Sequence, residues 1–439
     1  MSLAPDWIRA RGGRPWSIAL ALALVIWAQA PAAAQAPIAA PSGTTPSPLV
    51  SSEPPKPPAT FPALGPTNEL RLGENFSIRP GFQLQHWTEL LQDRTRRSNG
   101  EPGNYQWNTY VRRARFILGG TIFQKVSFFG LLEAANVGRT STAADGTATK
   151  TFDTLTFRDA FASLNLDTAF SIQAGLMVVP FSRQTLASTV HYLTLDTLTT
   201  AATFITQTQT SALRDTGVQL KGYPLEGHLE YRFGFFQGIR QSATQMAAQG
   251  GKNPFRLTGY VQYNALDTEA GYTLPSQYFG HKNVLGAGVG FDYQKLRHEQ
   301  SYWAVSASAF AALRLNGDPK SGGDELAAFA HVLHFDPGTT LQPPPAPGGV
   351  AKQNDLAAEL SYYNRDLSAS VFGKFELRLH QQSEFEAGDL QIFGAGLKYF
   401  ISEANANITL AYNRTVTPNA PATTNSVNQF VLQFQAYYY

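Results

Sequence analysis

No cysteine occurs among the 439 residues, which excludes a disulfide framework, a thiolate metal site and a thiol nucleophile. Net charge is equally scarce. The chain has 34 Lys and Arg against 32 Asp and Glu, and losing Arg9, Arg11, Arg14 and Asp6 with the N-terminal segment leaves 31 of each sign. A neutral chain has no general attraction for nucleic acid, so any selectivity for ions must come from where its charges sit. Past the N-terminus no apolar run approaches the roughly 20 residues of a membrane-spanning helix. Yet 43% of the residues are hydrophobic and 12% aromatic, with a mean hydropathy of −0.20. The chain is too apolar for disorder, and alternating strands produce that average where helical spans would not.

What the sequence has instead is a two-residue alternation recurring from Phe76 to Tyr439. Val218 and Leu220 alternate with Gln219 and Lys221; Ala406, Ile408, Leu410 and Tyr412 alternate with Asn405, Asn407, Thr409 and Asn413. Successive strand side chains point to opposite faces, so the pattern describes a wall with lipid outside and water inside. Sixteen strand candidates follow, an even number, with starts near Phe76, Arg214, Val284 and Asn405 among them. The expected fold is an all-β, antiparallel transmembrane barrel with long connections on one side and short ones on the other. Two connections break that rule, a long inner one around Ala270 to His281 and a short outer one around Leu296 to Gln300, and these are the places where a miscounted strand would show. The last strand, Phe430 to Tyr439, ends in three tyrosines expected in the interfacial girdle.

Ahead of the barrel, residues 1–34 read as a secretory signal. Arg9, Arg11 and Arg14 precede an apolar run from Trp16 to Ala30, and Ala32-Ala33-Ala34 fits the cleavage pattern, so the mature chain starts at Gln35. Residues 35–70 are Pro-rich and read as an extended periplasmic spacer, an inert tether, with a cell-wall contact as the alternative. Residues 71–439 form the barrel, placed in the outer membrane of a Gram-negative envelope.

Several segments resemble the phosphate-selective porin O and P family: Val111-Arg112-Arg113-Ala114-Arg115-Phe116, Phe157-Arg158-Asp159-Ala160-Phe161 and Gly175-Leu176-Met177-Val178-Val179-Pro180-Phe181-Ser182. Arg214-Asp215-Thr216-Gly217-Val218-Gln219-Leu220 and Phe235-Phe236-Gln237-Gly238 follow in the same order. The resemblance implies a homotrimeric sixteen-stranded channel whose third outer loop folds inward. That loop corresponds to residues 180–213, too long for an idle connection. Thr194, Thr197, Thr199, Thr200, Thr203, Thr206, Thr208 and Thr210 dominate it, and its charges are Arg183 and Asp196, with His191 partly titratable. Anion filters use rings of cationic side chains, so this loop predicts a neutral, hydroxyl-lined constriction.

Parity assigns Lys221, Lys374, Arg378 and Lys398 to the lumen, together with Arg113 and Arg115, which share one face within a family motif. Lys374, Glu376 and Arg378 can instead pair across strands as solvated wall. Gly286, Gly288 and Gly290 share one face and are expected to leave room for the third loop. Gly286-Ala287-Gly288-Val289-Gly290 lacks dinucleotide spacing, and His331 and His334 fall on opposite faces of a strand, so neither cofactor nor metal is implied. No catalytic constellation is present, and no nucleic-acid surface. The reading is a porin passing small hydrophilic solutes with weak anion preference. A selective phosphate or polyphosphate channel is the first alternative, and a structural or adhesive barrel with little conductance the second.

Overall fold

The alternation from Phe76 onward becomes, in a computed structural model, one continuous antiparallel sheet. The structure describes residues 69–92, 103–123, 125–142, 148–152, 155–200, 213–240, 254–297, 300–338, 351–381, 383–419 and 425–439. The expected signal and almost all of the Pro-rich spacer lie outside the described residues.

Sixteen strands build the wall. They are β1 (Phe76–Gln92), β2 (Tyr105–Ile122), β3 (Val126–Val137), β4 (Thr156–Asn165), β5 (Ser171–Val178), β6 (Arg214–Gly222), β7 (Leu229–Phe236) and β8 (Arg256–Asn264). β9 (Val284–Arg297), β10 (Gln300–Arg314), β11 (Glu325–Asp336), β12 (Gln353–Asn364), β13 (Ala369–His380), β14 (Leu390–Ser402), β15 (Ala406–Val416) and β16 (Ser426–Tyr438) complete it. Each pairs with its sequence neighbours, and β16 returns to β1 through register partners from Gln429↔Leu91 to Tyr438↔Phe82. Closure leaves no unpaired edge in the wall, which a lipid-exposed sheet requires. Among the described residues no helix is long and apolar enough to cross a membrane.

The strand count matches the sixteen expected, and both irregular connections are real. β9 ends at Arg297 and β10 begins at Gln300 at the long-loop end, and residues 265–283 link β8 to β9 at the short-turn end. Elsewhere short turns are fixed locally; the Asp167 carboxylate accepts the Ala169 N–H at 2.6 Å, an Asx-type turn.

Alternation in sequence becomes alternation in exposure. On β16, Phe430, Leu432, Phe434 and Tyr438 are exposed on the outer face while Val431, Gln433 and Gln435 are buried inside. Of the three terminal tyrosines, Tyr438 is the one that is exposed on the outer face. Tyr437 and Tyr439 pack against an interior cluster containing Phe129 and Tyr272, because strand parity sends alternate residues inward. His331 is buried inside, and His334 lies on the opposite face beside the exposed Trp303, 4.7 Å between rings.

Candidate functional site

Two connections enter the barrel from opposite ends. The third outer loop is buried from Val179 to Thr200 almost without interruption, so it lies inside the barrel. It is fastened to wall strands around the ring. Ser306 on β10 donates to the Phe181 carbonyl at 2.7 Å, and Gln435 on β16 to that of Val190 at 3.1 Å. Lys398 on β14 donates to the Tyr192 carbonyl. Glu376 on β13 accepts the Thr200 N–H at 3.0 Å, and Thr194 donates to Glu359 on β12. Leu193 and Leu198 fill a cluster with Val284, Phe310, Phe329 and Ala357. Thr203, Thr206, Thr208 and Thr210 lie outside the described residues.

The inner turn, residues 265–283, comes up from the short-turn end and meets this loop. Leu274 donates its N–H to the Leu186 carbonyl at 2.7 Å and accepts from Ser188 at 2.9 Å, a short parallel bridge between Ala187 and Leu274. Beneath it Arg183 forms a two-pronged ion pair with Glu269, 2.6 and 2.8 Å, and a third bond to the Pro275 carbonyl at 2.7 Å. The Arg183 guanidinium also sits 3.7 Å over the Phe310 ring. Lys221 and Arg232 donate to the Gly271 carbonyl, and Arg232 also to that of Tyr272. Main-chain carbonyls thus take up cations that strand parity alone would present to water.

Filling this side leaves a cavity of about 520 Å³ along the N-terminal strands. Five arginines line it, Arg112, Arg113, Arg115, Arg158 and Arg214, with three carboxylates, Glu133, Asp159 and Asp196. Arg112 and Arg113 both hold Asp196, at 2.8 and 2.6 Å. Arg115 and Arg158 both hold Glu133, the second at 2.7 Å. Arg214 lies 3.2 Å from Asp159, which also accepts from the Tyr272 hydroxyl. Burial alone would raise the Asp196 carboxyl's pKa, but Arg112 and Arg113 outweigh it and hold the group well below the usual carboxylate range. His191, buried and near Lys398, has its pKa lowered to about 4. Thr185, Ser188, Thr189, Thr197 and Thr199 lie on the loop's face of the cavity, beside His191, Tyr192 and the charged Asp196.

Bulges explain how so many arginines converge. In β2 the pairing skips from Gln85↔Arg113 to His86↔Val111, so Arg112 is the extra residue and joins Arg113 on Asp196. In β4 it skips from Leu131↔Asp159 to Leu132↔Phe157, leaving Arg158 extra and beside Asp159. A bulge places two successive side chains opposite one partner and re-aims them. The parity reading did not place Arg112, Arg158 or Arg214 among the lumen residues. The usable signal was the family motifs, because three of them carry these arginines.

Of the expected site residues, Arg113, Arg115, His191 and Asp196 line the cavity. Arg183 and Lys221 are spent on the inner turn, Lys398 on the third loop, and Lys374 on Glu376 at 2.7 Å. Arg378 lies 3.4 Å from Asp355. These five face inward as expected without bordering the cavity. The three glycines face inward too, but only Gly290 makes room for the loop. A Cβ there would overlap the Phe181 carbonyl oxygen, whereas at Gly288 and Gly286 it would meet Tyr260 and Asn264. The expectation fails at those two because side chains of the neighbouring strand β8 already occupy the space.

Comparison with known proteins follows the same lines. The family model described as phosphate-selective porin O and P matches residues 92–298, the stretch that supplies the five arginines. Among solved structures the chain is similar to an anion-selective porin from Comamonas acidovorans, at 12% identity and TM-score 0.53 over 83% of this chain and 100% of that one. It is also similar to OprB of Pseudomonas putida, at 8% identity and TM-score 0.53 over 83% and 94%. The outer-membrane channel DcaP of Acinetobacter baumannii gives 11% identity and TM-score 0.51 over 84% and 99%. No curated protein sequence matches.

Proposed function

We propose that this chain is an outer-membrane porin of the phosphate-selective porin O and P type, whose family model matches residues 92–298, and that small solutes pass by diffusion along the β1 to β6 side of the lumen with weak anion preference. The observation that carries this reading is the charge of the cavity wall. Its five arginines exceed its three carboxylates by two, and pores select anions through such cationic linings. The excess is diluted, since all three carboxylates sit among the guanidiniums. A tight phosphate filter would need cations without these partners, which favours weak preference over phosphate selectivity. No group is asked to make or break a covalent bond.

The homotrimer implied by the family resemblance belongs to this proposal and is tested by native mass in detergent. The Pro-rich residues 35–70 enter it only as a tether. Single-channel recording across a salt gradient tests the whole. A reversal potential of anion-selective sign is expected, and a cation-selective sign or a barrel without conductance refutes the proposal, the latter in favour of a structural or adhesive role.

A further inference from the structure

The cavity changes character along its length. Strands β2 and β3 pair Arg115 with Glu133, then Ile117 with Leu131, then Gly119 with Phe129. On β4, Asp159 opposes Leu131 and Phe161 opposes Phe129. Three adjacent strands therefore switch from charged to apolar inward residues at nearly the same level, one inward step apart, about 7 Å for two strand residues. Tyr272 from the inner turn and Tyr439 from the C-terminus complete the apolar level, with ring centroids 5.4 and 6.0 Å from Phe129. Barrel channels are normally polar inside, so an aromatic level under a guanidinium level, both lining one cavity, calls for an explanation beyond a water-filled passage.

We propose that this cavity binds an organic anion with a compact apolar body, of which an aryl carboxylate is the simplest form. The inference rests on the anion-preferring porin reading and names its solute class. The carboxylate lies against Nη2 of Arg115 and Nη1 of Arg158, guanidinium donors that Glu133 does not take, and the ring lies on Phe129, Tyr272 and Tyr439 in offset or edge-on contact. A sugar would find too few polar partners at the apolar level, and inorganic phosphate would engage only the upper level. Acetate would do likewise.

The test is a current-block series on the intact channel with benzoate, acetate and inorganic phosphate as probes, alongside the reversal potential in potassium chloride. Benzoate is expected to half-block at a concentration about tenfold below acetate, the size of effect that burying an aromatic face on apolar surface gives, and below phosphate. Phe129→Ala is expected to erase the benzoate advantage over acetate. Ile117→Thr, a smaller change at the same level, should reduce it if Phe129→Ala fails to assemble. An anion-selective channel that benzoate blocks no better than acetate or phosphate overturns this inference alone. A cation-selective or non-conducting barrel overturns the porin proposal and this inference with it.

Discussion

Glu269→Gln tests whether the inner turn is latched to the third loop by charge. Arg183 and Glu269 retain 3% and 0% side-chain exposure, and Glu269 also accepts from Gln262 at 2.6 Å and from the Tyr278 hydroxyl. Glutamine keeps the shape and removes the charge, leaving Arg183 buried with the Pro275 carbonyl and Gln262. Removing one member of a buried ion pair costs about 3–5 kcal/mol, which shifts the latched-to-unlatched ratio by about 10²- to 4 × 10³-fold. The wall ladders are untouched, so the barrel should still assemble and melt close to the parent. Single-channel records should instead gain noise and transient higher-conductance levels as residues 269–275 leave the lumen. Replacing both partners with apolar residues of similar volume, Arg183→Met with Glu269→Leu, should restore a quiet channel, since a buried pair exchanged for packing is often neutral. If Glu269→Gln gives a current trace indistinguishable from the parent, the latch is not what holds the turn.

Asp196→Asn removes the carboxylate shared by Arg112 and Arg113 and should move the reversal potential further toward anions, with the gain fading near 1 M salt, where the Debye length is about 3 Å. His191 is held neutral by burial and by Lys398, with a pKa of about 4 against its ordinary 6.5. Its stabilising contribution is full above pH 6.5 and is lost as pH falls toward 4. Current noise should therefore rise across that window in the parent and stay flat in His191→Gln. Gly290→Ala should displace the Phe181 carbonyl from Ser306 and alter conductance in an assembled barrel, while Gly288→Ala, which meets only the end of the Tyr260 side chain, should alter it less.

Most of the wall was legible in the sequence because a period of two fixes faces without knowledge of partners. Phe76, Arg214 and Val284 begin strands as expected, and the inward or outward sense of Gln433, Lys374 and Gly288 follows from counting. Parity fails where the backbone inserts a residue. At Arg112 and Arg158 one extra position brings inward a side chain that strict alternation would send outward, and nothing in the local composition marks it, because a bulge is a property of two paired strands.

The inner turn shows a different limit. Its length and its apolar residues, Tyr272, Leu274, Tyr278 and Phe279, are visible in the chain, and connections this long are seldom idle. Its partner Arg183, however, lies 86 positions away, and only the folded barrel brings the two together. The same limit governs the pore charges. Parity says which cations point inward, but pointing inward is not lining a passage when loop carbonyls fill the lumen, as Lys221 and Lys398 demonstrate. The selectivity of this channel must therefore be counted over the surface the two loops leave uncovered. There Arg112, Arg113, Arg115, Arg158 and Arg214 face Glu133, Asp159 and Asp196, and a near-neutral chain acquires a locally cationic path.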